Sequence, residues 1–129
     1  ILINPKYANA YIRRGYSYSK LGEEQRAIAD YDQAILINSK FEIAYTFRGN
    51  SYSKLGEQQK AIADYNQAIQ VDPKYTYAYT SRGDTRRSLG DKKGALEDFQ
   101  KAATLYQQQG KESLYRDMLK RISDLKQNM

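Results

Sequence analysis

A chain of 129 residues with neither cysteine nor histidine has no disulfide, no thiolate nucleophile, no Cys/His zinc site and no imidazole base. A mean hydropathy of −0.86 with 28% charged residues leaves no run near the ~20 apolar residues of a membrane span, and 40% hydrophobic residues, thirteen tyrosines among them, argue against disorder. The net charge of +6 is modest and uneven, ten Lys/Arg against eight Asp/Glu in residues 1–75 and eleven against seven in 76–129.

The heptapeptide SYSKLGE stands at 17–23 and again at 51–57, and a step of another 34 residues lands on TRRSLGD at 85–91. Self-similarity at a fixed period is the signature of a repeat architecture. Aligned on Gly15, Gly49 and Gly83, the chain resolves into units 8–41, 42–75 and 76–109. The first two agree at 21 of 34 positions and the second and third at about ten.

In chain order, residues 1–7 (ILINPKY) match 35–41 (ILINSKF) and read as the tail of a preceding, truncated repeat. Each unit then opens on Ala-Tyr-x-x-Arg-Gly, reaches a Leu-Gly turn, and continues as Ala-x-x-x-Tyr/Phe-x-x-Ala. The latter is Ala27, Tyr31 and Ala34, then Ala61, Tyr65 and Ala68, then Ala95, Phe99 and Ala102. Spacings of three, four and seven put these residues on one helix face. Glycine after leucine signals a helix C-terminus, and the acidic residue that follows suits the next N-terminus. Helices are therefore predicted near 8–21, 24–37, 42–55, 58–71, 76–89, 92–107 and 111–126. The last, with Leu114, Met118, Ile122 and Leu125 on one stripe, reads as a capping helix within 110–129 that covers the final apolar face. Gly15, Gly49 and Gly83 are expected where paired helices approach too closely for a larger side chain.

The pattern resembles the tetratricopeptide repeat, whose 34-residue consensus runs W-x2-L-G-x2-Y…A-x3-F…P. Here it reads Y-x2-R-G-x2-Y…A-x3-Y, a tyrosine-rich array of bacterial type with Arg-Gly in place of Leu-Gly. Pro73 holds the proline position in the second unit, Ser39 and Gln107 replace it elsewhere, and Arg86 stands where the first two units have Tyr18 and Tyr52. The resemblance implies an all-α, right-handed solenoid of helix-turn-helix repeats.

Recurrent tyrosines are expected to pack rather than to stack nucleic-acid bases. Arg14, Arg48 and Arg82 co-occur with Asp30, Asp64 and Asp98, which suggests a repeated ion pair between first and second helices; the alternative is an anion site made by an arginine column. No triad, metal spacing or phosphate-cradling loop stands out, so the chain is read as non-catalytic, without cofactor or metal. Basic residues of the C-terminal part are interspersed with acidic ones, and nucleic acid is the least favoured partner.

What the resemblance implies for a ligand is a concave surface lined by the first helix of every repeat. Carried over, the lining is Ile12, Arg13, Tyr16 and Lys20, then Ile43, Phe47, Asn50 and Lys54, then Tyr77, Ser81, Asp84 and Arg87. These columns vary between units while core columns hold. Phe47, Ile43, Tyr77 and Tyr16 are expected to supply apolar contact, with Ile43, Phe47 and Tyr77 as an exposed cluster. Asn50 would bond a ligand backbone, and Arg13, Lys20, Lys54 and Arg87 would meet acidic side chains. Chaperone-docking members of the family hold a terminal carboxylate with Lys, Asn, Asn, Lys and Arg. The matching positions here are Ile12, Tyr16, Phe47, Tyr77 and Ser81, so that clamp is missing. The expected function is a protein-interaction module that takes a peptide or helix of a partner; a spacer without a groove ligand is the alternative. The expected setting is cytoplasmic and off the membrane, as a monomer or with end-to-end association driven by truncation.

Overall fold

The computed structural model describes residue 4 and residues 6–129, which form seven α-helices and no strand. They are α1 (Lys6–Lys20), α2 (Glu24–Ile37), α3 (Glu42–Lys54), α4 (Gln58–Val71), α5 (Thr76–Ser88), α6 (Lys92–Gln108) and α7 (Glu112–Gln127). Ile1, Leu2, Ile3 and Pro5, and with them most of the expected repeat tail, lie outside the described residues. The chain divides into two compact units, Ile1–Pro73 and Lys74–Met129. In the first, α1 packs on α2, α2 on α3 and α3 on α4; in the second, α5 packs on α6 and α6 on α7.

α1 starts two residues earlier than the periodicity predicts. The Asn4 side chain accepts the Lys6 N–H at 2.9 Å and its carbonyl accepts the Tyr7 N–H at 2.9 Å, which satisfies donors that a helix start leaves unpaired. Its counterpart 34 residues on, Asn38, accepts the Lys40 N–H at 3.1 Å.

The Leu-Gly turns are Schellman corners. Gly22 lies at φ +79°, the Glu23 N–H reaches back to the Tyr18 carbonyl at 2.9 Å and the Gly22 N–H to that of Ser19 at 3.0 Å. A left-handed residue at this place costs glycine nothing. The arrangement recurs at Gly56 and Gly90, and also at Gly110 (φ +70°), where the Lys111 N–H bonds the Tyr106 carbonyl at 3.0 Å. α6 runs 17 residues where α2 and α4 run 14, so it is joined to α7 by the kind of corner that elsewhere joins the two helices of one repeat.

Helix pairs meet at the second set of glycines. A Cβ on Gly15 or Gly49 would stand 2.7 Å from the ring of Tyr31 or Tyr65, and one on Gly83 would stand 2.6 Å from Phe99. Each ring sits against bare helix backbone and is fully buried, contributing roughly 1.5–3 kcal/mol apiece. Ala27, Ala34, Ala61, Ala68, Ala95 and Ala102 surround them with no exposed surface.

The expected Arg/Asp pairs form in all three repeats, each linking a first helix to its second. Arg14 holds Asp30 through two parallel bonds of 2.9 and 2.7 Å, Arg48 holds Asp64 at 2.9 and 2.8 Å, and Arg82 meets Asp98 at 2.7 Å. Arg48 also reaches Asp32 on α2 at 2.9 Å, so this guanidinium ties one repeat to the one before it. Two tyrosine rings lie against each of the first two guanidiniums: Tyr11 and Tyr18 lie 5.6 and 5.9 Å from Arg14, Tyr45 and Tyr52 lie 5.7 and 6.0 Å from Arg48. Bidentate geometry and cation–π contact explain why arginine, not lysine, stands where the resembled consensus has leucine.

Candidate functional site

In the first unit the predicted lining of α1 and α3 separates by depth. Ile12 is buried in the core beside Ala8 and Ala27, so its side chain is packing, not lining. Ile43 and Phe47 are half-buried and pack onto that same core. The expected Ile43–Phe47–Tyr77 cluster of free apolar anchors is corrected accordingly: its first two members are the outer edge of the core, and Tyr77 belongs to the second unit. A one-turn apolar spacing on a helix does not distinguish a ligand face from a neighbouring helix.

What remains open on this face is built around Phe47. Its ring lies 5.6 Å from Tyr16 and, edge-on, 5.9 Å from Tyr31 of α2. Tyr16 is 46% exposed, and the Lys20 ammonium sits 5.0 Å above its ring. Lys54 Nζ donates to Ser19 Oγ at 3.0 Å, and Ser19 donates in turn to the buried Glu24 carboxylate at 2.8 Å. Arg13 projects to solvent. Together Tyr16, Ser19, Tyr31, Phe47, Asn50 and Lys54 enclose a cavity of about 50 Å³.

Two hydroxyls that the sequence pairs as equivalents behave differently. Tyr65 donates to the Asn50 carboxamide oxygen at 2.7 Å, a bond that does not use the amide's N–H groups. Tyr31 faces Tyr16 where Tyr65 faces Asn50; the residue is 1% exposed and lines the cavity, and its hydroxyl has no hydrogen-bond partner among the described residues. Burial, with the charges of Glu24 and Asp30 adding to it, pushes the Tyr31 phenol above its usual range, so it stays a neutral donor. Sequence reasoning placed Tyr31 in the core alone. The signal was available in the unlike partners at positions 16 and 50.

In the second unit Tyr77 is 62% exposed and its ring lies 5.9 Å from Tyr75, while Ser81 is half-buried. Asp84 is engaged by Arg121 of α7 at 2.9 Å and by Arg87 at 3.3 Å. Both guanidiniums stand over Phe99, at 5.8 Å for Arg87 and 5.7 Å for Arg121. Arg87, expected to await an acidic ligand, thus has an acidic partner within its own unit. Arg121 was not foreseen, because 37 residues separate it from Asp84. Pairs with this much exposure contribute little stability each, and they give this face a mixed charge unlike the cationic face of the first unit.

Tetratricopeptide-repeat models match residues 8–41, 43–75 and 76–109. The chain belongs to the tetratricopeptide repeat family. No curated protein sequence matches it. Among solved tetratricopeptide-repeat structures it is similar to the second such domain of human RPAP3 in complex with the HSP70 peptide SGPTIEEVD, at 27% identity and a TM-score of 0.81 over 95% of this chain and 98% of that one. The Arabidopsis OM64 domain is likewise 27% identical, with a TM-score of 0.84 over 98% and 100%. The second domain of Spaghetti (RPAP3) bound to the HSP90 peptide SRMEEVD is 30% identical, with a TM-score of 0.75 over 79% and 94%. A tetratricopeptide-repeat chain is an all-α helical-repeat, protein-interaction fold, and the seven helices here conform to it.

Proposed function

We propose that this tetratricopeptide-repeat chain binds a segment of another protein on the first-helix face of its first unit, across α1 and α3. The observation that carries the reading is the half-exposed aromatic group of Tyr16 and Phe47, rimmed by Lys20, Lys54 and Asn50 and opening on a small cavity. A rigid aromatic floor with polar groups at its edge is how peptide grooves combine affinity with orientation. The peptide-bound RPAP3 domains support it as relatives in fold and family. Because Ile12, Tyr16, Phe47, Tyr77 and Ser81 hold the places of the chaperone carboxylate clamp, capture of chaperone tails through that clamp is not part of the proposal.

The test is selection from a displayed library of random peptides on the immobilised chain, followed by titration of recovered peptides into isotopically labelled protein. Affinities near micromolar, about −8 kcal/mol, are expected, with amide shifts concentrated at Tyr16, Phe47, Asn50 and Lys54. Recovery of no peptide, or shifts confined to the second helices, refutes the reading.

A further inference from the structure

The cavity beneath Tyr16 has a chemical bias. The nitrogen groups that line it are all donors: the Asn50 amide N–H groups, which remain after Tyr65 takes the oxygen, and the ammonium of Lys54, of whose N–H groups Ser19 takes one. Lys20 adds a second ammonium above Tyr16. The carboxylate closest at hand, Glu24, is buried and already accepts from Ser19. To these Tyr31, which also lines the cavity, adds a hydroxyl that has no acceptor among the described residues. In the other two repeats no such donor is open, because Asn50 accepts from Tyr65 and Phe99 carries no hydroxyl.

We propose that this cavity is a subsite for a side-chain or terminal carboxylate of the bound segment, which accepts from Tyr31, Asn50 and Lys54 while Lys20 screens its outer side. The volume of about 50 Å³ exceeds the ~10–15 Å³ that admits one water and suits a carboxylate head whose carbon stem leaves over Phe47. Two positive charges at the rim against one buried negative charge leave the site cationic, and charge-assisted bonds to a carboxylate are the strong kind. The subsite lies at the C-terminal ends of α1 and α3, on residues other than those at the chaperone-clamp positions. It rests on the peptide-binding reading above and specifies the chemistry of the ligand.

The experiment uses two displayed random-peptide libraries, one of full composition and one lacking Asp and Glu with amidated C-termini. The expected result is enrichment from the first library alone. In each recovered peptide one acid-to-amide change should weaken binding at least about tenfold, as loss of a charged hydrogen bond does. Tyr31→Phe and Lys54→Gln should each shrink that acid-to-amide ratio to about threefold or less, with thermal melting unchanged; Phe99 shows that a ring without the hydroxyl fits the same helix contact. Equal enrichment from the acid-free library, or an undiminished ratio in both variants, overturns the carboxylate subsite and leaves peptide binding standing. Enrichment from neither library overturns both.

Discussion

The Arg86 guanidinium donates to the Asp98 carboxylate at 3.0 Å, in the place where Tyr18 and Tyr52 instead stack on the arginine of their own repeat. Two further substitutions accompany it. Position 94 is glycine where the other repeats have Arg26 and Lys60, which lie 5.7 and 5.5 Å over Tyr18 and Tyr52. Position 91 is aspartate where they have Glu23 and Glu57, and its side chain caps α6 by accepting the Gly94 N–H at 2.9 Å. A Cβ on Gly94 would come 2.3 Å from that carboxylate and 3.0 Å from Arg86 Cδ. The cation has moved from the second helix to the first, and the space it left admits the cap.

Gly94→Lys alone should therefore lower stability by about 1–2 kcal/mol, through loss of the cap and crowding of Arg86. The triple change Arg86→Tyr, Asp91→Glu, Gly94→Lys, which rebuilds the arrangement of the first two repeats, should recover most of it. Urea denaturation of the single and triple variants measures the coupling; additive losses would show that the three positions act independently.

Gly49→Ala tests the close approach of α3 and α4. Alanine favours a helix by about 1 kcal/mol over glycine, yet here its methyl would meet the Tyr65 ring at 2.7 Å and the Ala61 carbonyl at 3.1 Å. Overpacking should win, with a net loss of about 1–3 kcal/mol. The check is a lower unfolding midpoint with helical circular dichroism preserved before the transition.

Ser51→Ala should have the opposite sign. The Ser51 hydroxyl is buried without a hydrogen-bond partner among the described residues, and an orphaned polar group costs about 1–3 kcal/mol. Removing the oxygen should raise the urea midpoint, and a decrease would reveal a bond that the hydroxyl makes in solution.

The pH dependence of Asp64 follows from its burial, which raises its pKa against the lowering effect of Arg48, with the Asp32 charge adding to the rise. A carboxyl raised in the folded state binds its proton more tightly there than in the unfolded chain. Its stabilising contribution is thus full below the unfolded value and lost as pH climbs through the folded one. The melting temperature of the native chain minus that of Asp64→Asn should accordingly be most positive near about pH 3 and fall as pH rises past the ordinary aspartate value of ~3.9. A difference that grows with pH would mean that Arg48 outweighs burial.

The helix-turn-helix order was legible because one 34-residue spelling fixes core, corner and cap together. Gly22, Gly56 and Gly90 named their turns, and Gly15, Gly49 and Gly83 their contacts. The α1 start was missed because its signal, Asn4, precedes the repeat register. The face was legible only in outline. Ile12 and Phe47 share a period with exposed positions, and periodicity does not report how far a neighbouring helix reaches. Arg121 on Asp84 depends on how α7 packs, which no local pattern encodes.

The paired columns also bear on re-engineering. Position 16, 50 or 84 on a first helix is matched to position 31, 65 or 99 beneath it, as Tyr with Tyr, Asn with Tyr and Asp with Phe. Each of these three positions is one half of a two-part cassette whose other half is an interior ring. Grafting Asn50 into the first repeat would give the Tyr31 hydroxyl an acceptor, whereas grafting it into the third would set an amide above a ring that donates nothing. Moving one of these residues between repeats intact therefore takes two changes, one on each helix.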